Sequence, residues 1–174
     1  MASSPQIAHV PVELYLRSSY EPDAEYVDGV IEERPMGQFD HSSWQHAIEL
    51  WFARHAAEWG IRVRPELRIQ VARTNFRVPD VTVLDRSLPV EQIITRPPIA
   101  VVEILSPEDS HARLMIKLAD YERMGIRTIL VLDPENGDHR RYLGGRLEPL
   151  PSEAFELPGS VCRFDLSEIV RLLD

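Results

Sequence analysis

Hydrophobic residues recur at helical spacing in two long segments of the chain. Between His41 and Trp59 they lie three and four residues apart, which predicts an amphipathic helix that ends at Gly60. A second helix is predicted over residues 106–125, because Ser106 can act as N-cap, with proline at the first helical position and a carboxylate three residues after the serine. Two shorter helices are predicted, one close to residue 11 and one over residues 165–173.

Two hairpins are predicted from turns that contain glycine. The Asp28-Gly29 pair is a strong hairpin signal between a strand around residues 24–26 and a second strand at residues 30–34. Near the C-terminal end, a Gly-Gly pair at residues 144–145 separates two further strands, 138–143 and 146–150.

The middle of the chain is richest in strand patterns. Residues 61–84 alternate between apolar and polar positions, as half-buried strands do. Residues 99–105 and 127–134 are continuous apolar runs rich in β-branched residues, which suit central strands buried on both faces. This order of elements predicts one α/β domain over residues 1–174, with a mixed sheet flanked by helices.

Composition and charge narrow the class of protein. The chain has 174 residues, and 19 Lys and Arg against 28 Asp and Glu give a net charge of −9. That length supports one core without disulfides, and the single cysteine, Cys162, excludes a multi-cysteine zinc site and fits a reducing compartment. No secretory leader and no membrane-spanning run is recognisable, so we expect a cytoplasmic protein. The acidic balance disfavours a broad nucleic-acid footprint but not a local contact.

Two carboxylates interrupt segments that otherwise have the pattern of buried strands. Asp80 is flanked by valines, and Glu103 lies between Val102 and Ile104. An ionised carboxylate is costly in a low-dielectric interior unless it is paired or coordinates a metal. Two on neighbouring strands would also repel each other, so a divalent cation between them is one explanation. The alternative is pairing with arginines, of which residues 61–77 contain five against one glutamate, a net +4 that could also contact phosphate.

Lys117 adds a cation to this pair of carboxylates. It lies beside the apolar stripe of the helix predicted after the Glu103 strand, and from there its side chain could reach the strand ends. A lysine at that position could polarise an attacking water or stabilise the charge that develops in phosphoryl transfer. The alternative is a lysine on the flank of the helix whose ammonium group stays in water.

Four ordered motifs carry a resemblance to a known family. From about residue 21 to about residue 142 the chain closely resembles the Uma family of restriction endonuclease-like proteins, in the PD-(D/E)XK nuclease superfamily. The resemblance implies a restriction endonuclease-like fold. The motifs are AEYVDGVIEE, RVPDVTV, PPIAVVEILSPED and KLADYERMGIRTILVLDP.

The resemblance also implies roles for individual residues. Asp80 and Glu103 would be metal ligands, with the backbone carbonyl of Ile104 available beside them. The superfamily usually has a lysine two residues after the second acid, but here that position is Leu105. In the family resembled, the lysine is thought to come from the following helix instead, and Lys117 is the matching position.

Further residues are assigned to the edge of the same site. His41 matches a histidine frequent in the family at that edge, and Glu66, expected near the start of its strand, could face the same cleft. We expect Glu25 and Glu32, around the early hairpin, to be solvated, with a place on the acidic rim of the site as the alternative for either one.

The resulting hypothesis is an endonuclease that hydrolyses phosphodiester bonds in DNA. The resemblance implies Mg²⁺ or Mn²⁺ as cofactor, DNA as substrate, and a homodimer whose two sites would address two strands. Two alternatives remain open at this point: a non-catalytic module of the same fold that binds a partner or nucleic acid, and a metal-dependent hydrolase of a small phosphoester.

Overall fold

The computed structural model describes residues 9–21, 23–35 and 37–173 of the chain. Within them the helices are α1 (Val12–Arg17), α2 (Phe39–Arg54), α3 (Ala56–Trp59), α4 (His111–Met124) and α5 (Leu166–Val170). The strands are β1 (Ala24–Val27), β2 (Val30–Glu33), β3 (Ile61–Pro65), β4 (Ile69–Ala72), β5 (Asn75–Arg77), β6 (Val81–Asp85), β7 (Ala100–Ile104), β8 (Thr128–Leu132), β9 (Arg140–Leu143), β10 (Arg146–Pro149), β11 (Phe155–Glu156) and β12 (Arg163–Phe164).

A six-stranded mixed sheet forms the centre of the molecule, in the order β10-β9-β8-β7-β6-β3. Strands β7 and β8 run parallel and are connected through α4, while the other neighbours are antiparallel. Every residue of β7 and β8 is buried, as expected for strands covered on both faces. The predicted mixed sheet with flanking helices agrees with this architecture.

The two faces of the central sheet carry different helices because side chains alternate along each strand. In β7, Val102 faces the core formed with α2, where Phe52 is fully buried. Its neighbour Val101 faces the opposite core, which α4 closes with Leu118 and Tyr121. The same alternation directs Glu103 toward α4, where Lys117 and Tyr121 contact its carboxylate.

A smaller antiparallel sheet, in the order β2-β1-β5-β4, lies beside the central one. Its first two strands form the predicted hairpin, and both turn residues, Asp28 and Gly29, have positive φ, as in a type I′ turn. Tyr15 of α1 packs on this sheet against Tyr26 and Phe76, with ring centroids 5.0 and 5.6 Å away.

Both long helices differ from their predicted bounds. The helix predicted over 41–59 is interrupted at His55, whose φ of −100° and ψ of 2° leave α3 as a separate turn that Gly60 ends. The predicted N-cap at Ser106 is wrong, because α4 begins at His111. Residues 106–109 instead form a turn in which the Asp109 carboxylate accepts a hydrogen bond from the Ser106 amide at 2.6 Å. Serine, proline and aspartate favour such turns as strongly as they favour helix starts.

The alternating segment 61–84 is divided between the two sheets. Strands β3 and β6 pair with each other in the central sheet, whereas β4 and β5 pair in the small one. Period-two alternation shows that a segment is extended, but it does not specify which neighbour completes its hydrogen bonds. Among the described residues, no helix is long and apolar enough to cross a membrane.

Candidate active site

Asp80 and Glu103 lie side by side at one end of the central sheet. Asp80 directly precedes β6, and because Val81 pairs with Val102 in the antiparallel β6–β7 ladder, Asp80 and Glu103 are the next opposed residues. Both are buried, with only 3% and 6% of their surface exposed. They line the floor of an open cleft of about 790 Å³, whose walls include the starts of α2 and α4 and the end of β2.

Three donors hold the Asp80 carboxylate. Oδ1 accepts a hydrogen bond from Arg34 Nη2 at 2.5 Å and lies 3.3 Å from His41 Nε2. Oδ2 accepts from the Ile104 backbone amide at 2.7 Å, and Gln45 donates to the Asp80 backbone carbonyl at 2.9 Å. Burial opposes ionisation, but the His41 hydrogen bond and the Arg34 charge outweigh it and lower the pKa of Asp80. The same hydrogen bond raises the pKa of His41.

Glu103 is held by two residues of α4. Its Oε2 lies 2.7 Å from Lys117 Nζ, and its Oε1 accepts a hydrogen bond from the Tyr121 hydroxyl at 2.7 Å. Burial raises the pKa of Glu103 to about 7, and the neighbouring Asp80 and Glu25 charges add to this effect, although Lys117 opposes it. Nearby positive groups therefore offset the charge of Glu103 less than they offset the charge of Asp80.

Lys117 reaches the strand ends, where its ammonium group has three acceptors. Besides Glu103 it contacts Glu25 Oε1 at 2.8 Å and the Val78 backbone carbonyl at 3.2 Å. Its side chain is only 13% exposed, so the alternative of an ammonium group in bulk water is wrong. Burial lowers the pKa of Lys117, but the Glu103 and Glu25 charges outweigh burial and raise it, which keeps the side chain cationic.

The arginine pairing proposed for the carboxylates is wrong in its details. The arginine that contacts Asp80 is Arg34, outside the segment 61–77. Arg77 of that segment is buried and pairs instead with Glu25 and Asp120, at 2.8 and 2.7 Å. Arg77 therefore has no exposed guanidinium to offer to phosphate.

The expectation that Glu25 and Glu32 are solvated fails for the first of them. Glu25 is 5% exposed, and two cations, Lys117 and Arg77, lower its pKa against the opposing effect of burial. Glu32 lies at the edge of the cleft with 27% of its side chain exposed and its carboxylate 3.3 Å from Arg77.

Glu66 faces the cleft, but it lies in the connection after β3 rather than near the start of a strand. Its backbone has a φ of +49°, and its amide donates to the Asp80 carbonyl at 3.3 Å. Its half-exposed carboxylate contacts Arg34 at 3.2 Å. Glu66 thus orients Arg34 and the Asp80 backbone in this structure.

Comparison with known proteins places the chain in a family. The profile of the Uma2 family, described as "Putative restriction endonuclease", matches residues 12–159. The chain belongs to the Uma2 family. The match covers the cleft residues of both sheets and both long helices, and it supports a nuclease role for the domain. No curated protein matches the chain in sequence.

A solved structure shares the fold of this chain. The crystal structure of a "putative nuclease belonging to DUF820 from Anabaena variabilis" superposes with a TM-score of 0.80 at 21% sequence identity, covering 95% of this chain and 99% of that one. The predicted restriction endonuclease-like fold is therefore confirmed. A cryo-EM structure of a DrdV–DNA complex also matches, with a TM-score of 0.40 and 16% identity over 74% of this chain and 11% of that one.

The oxygen donors of this Uma2 site suit a hard divalent cation. Within residues 9–21, 23–35 and 37–173, no group of three or more His, Cys, Asp or Glu side chains is arranged to hold a metal. Asp80 and Glu103 nevertheless supply two carboxylates, the kind of donor that Mg²⁺ takes while it retains several waters and binds substrate phosphates.

The sequence did not predict the contacts that Glu25, Arg34, Arg77 and Tyr121 make at the site, although one signal for Glu25 was available. A two-residue turn sets the register of the β1–β2 hairpin, and in that register Glu25 lies opposite Glu32. Like charges directly opposite each other destabilise a hairpin, so a cation between them was to be expected. Arg77 is that cation.

Proposed function

We propose that this protein is a Mg²⁺- or Mn²⁺-dependent endonuclease that hydrolyses phosphodiester bonds in DNA. The observation that carries the proposal is the arrangement of Asp80, Glu103 and Lys117. Two adjacent strand ends supply the carboxylates, a helix supplies the lysine, and all three side chains line one open cleft. Nuclease chemistry needs oxygen ligands for a cation and a positive group for the phosphate, and this arrangement contains both.

The cation would be held by Asp80 and Glu103, with the Ile104 carbonyl as a third donor. When bound, it would activate a water and offset the negative charge of the scissile phosphate. The ionised state of Asp80, favoured by His41 and Arg34, suits a ligand role at neutral pH.

Lys117 would act as a fixed positive charge rather than as a base. Its ammonium group is held between two carboxylates, and the raised pKa keeps it protonated. A protonated lysine donates hydrogen bonds to oxygens that gain negative charge during phosphoryl transfer, but it cannot take a proton from water.

Arg34 and His41 would contact the phosphate from the open side of the cleft. Each side chain is 12% exposed and already lies within 3.3 Å of Asp80. The Arg34 guanidinium, joined by His41 when that ring is protonated, offers local attraction for a phosphate although the whole chain has a net charge of −9. The homodimer expected from the family resemblance would place two such clefts against two strands, and light scattering would measure it.

A non-catalytic module with this fold is the second candidate. It is favoured by the observation that both oxygens of Asp80 already have protein donors, from Arg34, His41 and the Ile104 amide. In such a module, Arg34 would occupy permanently the place beside Asp80 where a cation is needed.

One experiment separates the two candidates. Supercoiled plasmid and single-stranded DNA would be incubated with wild type in Mn²⁺, Mg²⁺ or EDTA, beside Asp80→Asn and Lys117→Met. We expect cuts that depend on the cation and fall by about 100-fold or more in both variants. Asp85→Asn is the matched control: it is an aspartate at the other end of β6, bonded to Ser87, and it should cut within about threefold of wild type.

Four results would contradict the nuclease proposal. Cuts of equal strength in EDTA would exclude the cation, and cuts of equal strength in Asp80→Asn would exclude this site. An inactive wild type whose Mn²⁺ binding by calorimetry is unchanged in Asp80→Asn would favour the non-catalytic module. Hydrolysis of a small phosphodiester but not of DNA, with little dependence on salt, would indicate a small-substrate enzyme.

A further inference from the structure

Glu25 lies in the same cleft as Lys117 and, like Glu103, contacts the ammonium group of that lysine. Its Oε1 lies 2.8 Å from Lys117 Nζ and 3.0 Å from the Val78 backbone amide, and its Oε2 accepts from Arg77 at 2.8 Å. These three donors take up both carboxylate oxygens, and the residue is 5% exposed. Glu25 is therefore poorly placed to contact a substrate directly.

We propose that Glu25 is a positioning residue that holds the Lys117 ammonium group in place for the reaction. This inference rests on the proposed nuclease function, and it assigns to β1 of the small sheet a part in a site whose other acidic residues come from the central sheet.

The hydrogen bonds of the ammonium group explain why a second carboxylate is needed. A lysine has three N–H donors on a flexible stem, and here they meet Glu103, Glu25 and the Val78 carbonyl. Glu103 also lies at the proposed cation site, so its bond to Lys117 is the one open to exchange. Glu25 and Val78 then retain two of the three donors, which leaves the third directed toward the cleft.

Arg77 connects Glu25 to the helix that carries the lysine. The guanidinium bonds Glu25 of β1 on one side and Asp120 of α4 on the other, at 2.8 and 2.8 Å. Asp120 lies three residues after Lys117, and residues three apart share a helix face. This chain of ion pairs, Glu25–Arg77–Asp120, fixes the distance between β1 and the face of α4 that presents Lys117.

The test is a double-mutant cycle of cleavage rates with Glu25→Gln, Lys117→Met and the combined variant. Glu25→Gln keeps the shape of the side chain but removes the charge that holds the ammonium group. We expect it to lower kcat by about 10–100-fold and to change KM by less than about threefold, because the substrate does not contact Glu25. In the Lys117→Met background the same change should alter the rate by less than about twofold.

Glu32→Gln is the matched control. Glu32 lies opposite Glu25 in the hairpin and also contacts Arg77, but within the described part of the chain it makes no ion pair with Lys117. Its rate should stay within about twofold of wild type. If Glu32→Gln lowers kcat as strongly as Glu25→Gln does, the loss of any negative charge beside Arg77 is enough to slow the reaction. The positioning role of Glu25 is then overturned.

Two further results would overturn the proposal: an unchanged kcat in folded Glu25→Gln, or an equal loss of rate with and without Lys117.

Should the single lysine variant cut too slowly to measure, or wild type not cut at all, the same double-mutant cycle is measured on the free energy of urea unfolding. Coupling between Glu25 and Lys117 in that cycle supports the positioning contact even if the nuclease function fails, whereas additive effects exclude it. If Glu25→Gln does not fold, Glu25→Asp replaces it, since aspartate keeps the negative charge but its shorter side chain weakens the contact with Lys117.

Discussion

The two sheets of this protein both bury carboxylates, but they compensate them differently. In the small sheet, Arg77 is 2% exposed and is enclosed by Glu25, Asp120 and Glu32. At the end of the central sheet, Asp80 is compensated by Arg34 from the wall of the open cleft. Enclosed ion pairs fix a geometry, whereas ion pairs at the edge of a cleft can exchange a protein partner for a ligand.

The pKa values of Glu103 and Glu25 are shifted in opposite directions. Burial raises the pKa of Glu103 to about 7, whereas the pKa of Glu25, equally buried, is lowered because Lys117 and Arg77 both contact it. Two cations, Lys117 and Arg77, contact Glu25, whereas Lys117 is the cation that contacts Glu103 within the described part of the chain. This difference is a reason to propose a cation site at Glu103 rather than at Glu25.

The largest effect that tests this comparison is expected from Arg77→Met. Removing the central cation leaves Glu25 and Asp120 buried without their shared partner, which should lower the free energy of unfolding by about 3–5 kcal/mol. Urea denaturation followed by circular dichroism measures it. The control is Arg64→Met, an exposed arginine on β3 of the central sheet, which should change stability by less than about 0.5 kcal/mol. Equal effects in the two variants would mean that Arg77 is not an enclosed partner.

A smaller, pH-dependent effect is expected from Glu103→Gln. The pKa of Glu103 rises from 4.5 to about 7 on folding, so the folded state binds the proton more tightly. The free energy of unfolding of wild type should therefore fall, relative to the variant, by about 1–3 kcal/mol as pH rises through this interval. Urea midpoints measured in EDTA across the interval would show it. Parallel curves of urea midpoint against pH for wild type and Glu103→Gln would contradict the raised pKa. The control is Glu33→Gln, a change at an exposed glutamate of the small sheet, which should follow wild type.

The smallest effect is expected from His41→Gln. The bond to Asp80 raises the pKa of His41 above 6.5, so its contribution to stability is complete below that pH and disappears as pH rises through the folded-state pKa. We expect the variant to be less stable than wild type by about 0.5–1 kcal/mol at pH 6 and to approach wild type at higher pH. His46→Gln, a change at an exposed residue of the same helix, is the control and should alter stability by less than about 0.5 kcal/mol at pH 6. A difference that does not change with pH would mean that the His41 contact with Asp80 is not charge-dependent.

Much of the fold could be predicted because the signals are local. The hairpin at Asp28-Gly29, the long helix before Gly60 and the buried strands around Glu103 and Leu130 each follow from residues within a few positions of one another. The start of α4 could not be predicted, because the serine, proline and aspartate at 106–109 suit a turn and a helix start equally well.

The residues of the candidate site could likewise be predicted only in part. Asp80 and Glu103 could be selected from the sequence because a charge inside an apolar pattern is visible locally, whereas the role of Lys117 was implied by the family resemblance. Their partners could not be selected: Arg34 meets Asp80 across 46 residues, and Arg77 meets Glu25 across 52.

The sequence by itself determined which segments are buried and which buried positions carry charge, since periodicity is a property of neighbouring residues. Only the tertiary structure decided which cation compensates each carboxylate. That choice depends on how β1, β2 and β5 of the small sheet pack beside α4 and the central sheet, and the energy of an ion pair depends on distance in space rather than on separation along the chain.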